Sequence, residues 1–113
     1  MKRWLMLLCL TISPLANANG INCTSTLRDA WIEDSGLLLV YPFWANKPVG
    51  LCNVTTKHNN IEPAVCKSWV SIALTAVTTQ KSTTIQYHTI GACSEIDGYH
   101  DSQQASYFML KNE

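Results

Sequence analysis

The sequence predicts a small β-rich α+β domain, and three observations carry that prediction. Apolar or alternating runs of six or seven residues recur between polar turns, which is strand patterning. One stretch, residues 63–78, instead repeats its apolar positions with the spacing of a helix. Four cysteines remain once an N-terminal leader is set aside, an even number that suits two disulfides beside a small core.

The leader has three parts in order. Met1-Lys2-Arg3 is cationic, residues 4–12 are apolar, and Ser13-Pro14-Leu15 precedes the small-residue site Ala16-Asn17-Ala18. Residues 1–18 are therefore expected to be a signal peptide, and residues 19–113 a single exported domain, secreted or periplasmic and bacterial in type. An apolar run this short cannot cross a hydrocarbon core of ~30 Å, so no membrane span is expected after cleavage. Leu8, where a small residue would be needed, argues against lipidation at Cys9.

Along the remaining chain, residues 26–32 read as a first strand and Glu33-Asp34-Ser35-Gly36 as a hairpin turn. Residues 37–43 are a continuous apolar run, with Pro42 marking an edge or bend. A loop at 44–48 leads to a third strand at 49–54, and a polar connection follows. Pro63 suits the first turn of a helix. From there Val65, Trp69, Ile72, Ala73, Ala76 and Val77 fall on one helical face; the segment also alternates in part, but its length exceeds that of an ordinary strand. Trp31 and Trp69 fall on faces expected to be buried. Residues 83–89 alternate as a fourth strand, 91–104 form a polar loop, and 105–110 a fifth strand. The order β-β-β-α-β-β, with five short strands, is that of an OB-fold-like barrel.

Three pairings of Cys23, Cys52, Cys66 and Cys93 are possible. The short polar loop between Cys52 and Cys66 favours a local bond, leaving Cys23 with Cys93. No C-x-x-C or H-x₃₋₅-H spacing suggests a metal, and the acids at 95, 97 and 101 miss the calcium-loop pattern. No phosphate loop or G-x-S-x-G is present, and His58, His88 and His100 lie in separate segments. No catalytic residue, metal or cofactor is therefore expected. Eight basic residues balance eight acidic ones, and without Lys2 and Arg3 the balance turns acidic, which disfavours nucleic acid as a partner. A hydrophobic content of 47% excludes a disordered tail.

The distinctive side chains are aromatic. Tyr41, Phe43 and Trp44 cluster at the end of the second strand, and Tyr87 lies on the fourth. A flat ring can pack on the C–H face of a sugar, which makes Tyr41, Trp44 and Tyr87 ligand-binding candidates; the competing expectation is that these rings cap the fold.

Several short stretches carry a resemblance: Arg28-Asp29-Ala30 through Ser35-Gly36-Leu37-Leu38, Asn46-Lys47-Pro48 ahead of Cys52, the Cys52–Cys66 loop entering the helix, and Ile85-Gln86-Tyr87. In these the chain resembles the binding subunits of pentameric bacterial toxins, the family that includes the subtilase cytotoxin B subunit. In the V-C-K-S-W start of the helix at 65–69 and the Y-x-M-L ending at 107–110, it also resembles small exported proteins of marine gammaproteobacteria that carry no known activity. The toxin resemblance implies an OB-fold, a homo-oligomeric ring of five, and binding of sialylated glycans on cells, with Tyr87 matching a family tyrosine. The family's first-strand serine has no counterpart in Asp29-Ala30-Trp31-Ile32. The expected function is a non-catalytic module that binds a glycan or a protein receptor. The alternative is a periplasmic inhibitor or accessory protein that binds another protein.

Overall fold

A computed structural model describes residues 20–112, so the expected signal peptide, residues 1–18, lies outside the described residues. Among the described residues there are six strands and one long helix: β1 (Ile21–Ser25), β2 (Leu27–Ile32), β3 (Leu37–Pro42), β4 (Val49–Asn53), α1 (Pro63–Thr79), β5 (Thr83–Tyr87) and β6 (Ala105–Leu110). They form two antiparallel three-stranded sheets, ordered β1-β5-β6 and β2-β3-β4.

The expected five strands are thus six. The strand expected at 26–32 is β2, and an unexpected strand, β1, precedes it; the run breaks at Thr26, so β1 joins β5 and β2 joins β3. Cys23 and Leu27 point into the core along this run, while Asn22 and Thr24 face solvent and disguise β1 as a polar loop. The expected closed barrel is also corrected to two open sheets sharing this one corner. On the opposite side β4 is edged by the segment 97–103 and not by β6. Val49 bridges Tyr99 in parallel, Tyr99 N donates to Pro48 O at 3.1 Å, and Gly50 N donates to Ser102 Oγ at 3.0 Å.

The β2–β3 turn depends on Gly36, whose φ of 97° and approach to the Asn53 side chain exclude other residues. Helix α1 packs on β2, β4 and β6, closing the core between the sheets. Cys66, Ala73 and Ala76 are fully buried, and Trp69 meets Phe108 edge-on at 5.9 Å. Val65, expected on the packed face, is 45% exposed. The adjacent Cys66 is bonded to Cys52 of β4, so residue 66 faces the core and residue 65 is rotated ~100° away. Lacking a glycine, α1 ends at Gln80 in the left-handed region, with its side-chain Nε2 donating to Val77 O at 2.9 Å. The second disulfide joins Cys23 of β1 to Cys93, in a 3₁₀ turn at Cys93–Glu95. Among the described residues no helix is long and apolar enough to cross a membrane.

Candidate functional surface

The outer face of the β2-β3-β4 sheet carries the most unusual side-chain arrangement. Leu38 and Val40 of β3 belong to the core, so Leu37, Leu39 and Tyr41 point the other way. A bulge between Leu27 and Asp29 sets both Arg28 and Asp29 against Tyr41 alone. The Arg28 guanidinium lies over the Tyr41 ring, 3.7 Å from its centroid, and Arg28 Nε donates to Asp29 Oδ2 at 2.7 Å. That hydrogen bond, with the charge of Asp29, raises Arg28 further above its ordinary range. The two side chains are 54% and 50% exposed. Tyr41 OH donates to Asn46 Oδ1 at 3.3 Å, and Asn46 itself sits in the left-handed region, which asparagine tolerates.

The same bulge changes the phase of β2. Ala30 packs toward the core, and Trp31, expected to be buried, turns outward at 37% exposure, two residues beyond Asp29 on the same face. Phe43, just past the end of β3, is 53% exposed. The β4 side of this face is covered. The 97–103 segment crosses it so closely that the Tyr99 carbonyl leaves no room for a side chain at Gly50. Ser102 Oγ donates to Asp97 O at 2.6 Å, and Asn59 Nδ2 donates to Ser102 O at 3.0 Å. His100 Nε2 pairs with Glu33 Oε1 at 3.1 Å, and Lys47 Nζ reaches Ile96 O at 2.8 Å. Leu37 and Leu39, which point outward with Gly50, are fully buried.

The three aromatic candidates therefore separate. Tyr41 lies on this surface. Tyr87 is fully buried in the core, and burial pushes its hydroxyl well above the ordinary range. Trp44 is half-buried and meets Tyr87 edge-on at 6.1 Å, with its indole N–H inside the protein. The sequence marks none of Arg28, Asp29, Trp31 and Asn46 as a ligand contact, and it places Trp31 on a face expected to be buried. The signal available is Arg28-Asp29 itself, two adjacent charges inside a strand that is apolar at Leu27 and from Ala30 to Ile32.

The histidines also separate. His88 Nε2 lies 3.2 Å from Gln86 Oε1 on the other sheet. His58 and His100, far apart in sequence, are brought together beside the 97–103 segment. Burial chiefly, and the nearby His100, lower the His58 pKa. Neither imidazole faces a cavity, since no pocket is found among the described residues. No group of three or more His, Cys, Asp or Glu among the described residues is placed to hold a metal ion. The outer face of the β1-β5-β6 sheet carries an exposed Met109 beside polar groups that pair with each other: Thr24 and Thr84 hydroxyls meet at 2.7 Å, and Tyr107 OH donates to Asn22 Oδ1 at 3.2 Å. Comparison with family models, curated proteins and solved structures finds no match for this chain.

Proposed function

We propose that the protein is an exported, non-catalytic binding module whose ligand surface is the uncovered half of the β2-β3-β4 outer face. One observation carries the reading: the bulge at Arg28-Asp29 holds a guanidinium on an aromatic ring at the surface, flanked by an outward tryptophan. A strand bulge that re-aims side chains onto an exposed face is a device often found beside functional sites. Export is supported by the sequence of residues 1–18, and both disulfides are consistent with an extracellular or periplasmic setting. The resemblance to toxin binding subunits supports a cell-surface glycan or protein receptor as the partner, an OB-like arrangement of the two sheets, and a homo-oligomer. Tyr87, which that resemblance offers as a contact, is inside the core, so the contacts proposed are Arg28, Asp29, Trp31 and Tyr41.

Binding of the oxidised protein to a glycan array and to intact cells tests this. Arg28→Ala is expected to lower the retained signal about tenfold while far-UV circular dichroism stays unchanged. Unaltered binding in that variant counts against the surface. Turnover of a hydrolase substrate that disappears in His58→Ala or His100→Ala counts against a non-catalytic role.

A further inference from the structure

We infer that this surface takes a neutral saccharide through two adjacent hydroxyl groups, an assignment that rests on the binding role proposed above. The argument is one of donors and acceptors. Arg28 uses Nε on Asp29, and among the described residues its Nη1 and Nη2 groups have no partner, so four N–H donors remain in one plane. Asp29 uses Oδ2, leaving Oδ1 as an acceptor beside them. Donor and acceptor thus stand side by side, with a local charge that cancels. A sugar hydroxyl both donates and accepts, so two neighbouring hydroxyls satisfy both members of the pair. A carboxylate or phosphate satisfies only the guanidinium and meets the charge of Asp29.

Two further features fit a pyranose. Stacking on Tyr41 fixes the guanidinium plane before any ligand arrives, which reduces the entropy lost on binding. Trp31 follows Asp29 by two residues on the same face, ~6.7 Å along the strand by its rise per residue, about one sugar ring away. Its exposed indole can take the apolar C–H face of the ring whose hydroxyls reach Arg28 and Asp29.

Nuclear magnetic resonance titrations of the oxidised protein, with methyl β-galactopyranoside, methyl α-mannopyranoside and N-acetylneuraminic acid as separate probes, test the assignment. Expected are shifts of the Arg28 and Asp29 amides and the Trp31 indole with a neutral sugar. Asp29→Asn and Arg28→Lys should each weaken that binding about tenfold, the first by removing the charged acceptor and the second by removing the planar fork. Tighter binding of the acidic sugar, further strengthened by Asp29→Asn, overturns the neutral-diol assignment while leaving the surface a binding site. No shift on this face with any of the three sugars overturns the saccharide assignment. A change in sedimentation on Asp29→Asn without sugar binding overturns it in favour of a second copy of the chain.

Discussion

The two halves of one sheet face behave as opposites. At the β4 side, Gly50, Leu37 and Leu39 lie under a loop whose own polar groups are satisfied: Ser102 takes the Gly50 N–H, and Asn59 takes the Ser102 carbonyl. At the β2 side, Arg28, Asp29, Tyr41 and Trp31 stand open, and the first two keep unused hydrogen-bonding capacity. The strands supply the same backbone to both halves. What differs is whether the chain itself covers the side chains, and an uncovered half that still carries fixed, partly satisfied polar groups is where a ligand has something to gain. The β1-β5-β6 outer face sharpens the point, because its polar groups are paired with each other across the strands.

The largest expected effect comes from a pair that straddles the boundary. Trp31 and Leu39 are direct cross-strand partners, one 37% exposed and the other fully buried. Leu39→Ala should cost ~2–5 kcal/mol in urea unfolding of the oxidised protein, with sugar binding retained in the folded fraction. Trp31→Ala should cost less than half as much and lose binding. Equal stability losses would erase the distinction between the covered and open halves.

Next in size is the clasp that holds the covering loop. In Ser102→Ala the buried Gly50 N–H loses its acceptor and Asp97 O its donor, for ~1–3 kcal/mol. Hydrogen exchange should quicken at Gly50 and through residues 97–103, and stay unchanged at Arg28 and Asp29. Exchange that quickens equally at β2 would mean the two halves open as one unit.

The sequence shows much of this framework and little of its surface. Pro63 and the spacing from Val65 to Val77 locate a helix at 63–78, one residue short of α1, and the runs at β3 and β6 have strong apolar patterns. β1 escapes because Asn22 and Thr24 face water and only Cys23 among the central residues carries a core signature. Barrel closure cannot be read from element order, since it depends on whether β4 meets β6 or, as here, the 97–103 segment. The surface is harder still. Aromatic residues in sequence do not announce which face they take: Tyr41 is outward by strand parity, whereas Trp44 and Tyr87 meet in the interior. A bulge of one residue turned Trp31 outward, and that shift is set by pairing with β3, which local composition does not encode.

The smallest predicted effect concerns acid and falls on the covered half alone. His58 lies with a buried Nε2 near His100, close to the segment that Asn59 fastens to Ser102. Burial first, and His100 second, lower its pKa in the folded protein below the ordinary value of 6.5. The unfolded chain therefore binds a proton at His58 more readily than the folded one. The sign follows by linkage: this contribution to stability is complete above about pH 6.5, declines as pH falls toward the lowered folded pKa, and levels off below it. Urea midpoints measured from pH 7.5 to 5 should fall, and His58→Gln should flatten that slope. Binding at Arg28 and Asp29 should stay level over the same range, because neither histidine is among its contacts. A binding curve that tracks the stability curve would instead make the covering loop and the open surface a single pH-responsive unit.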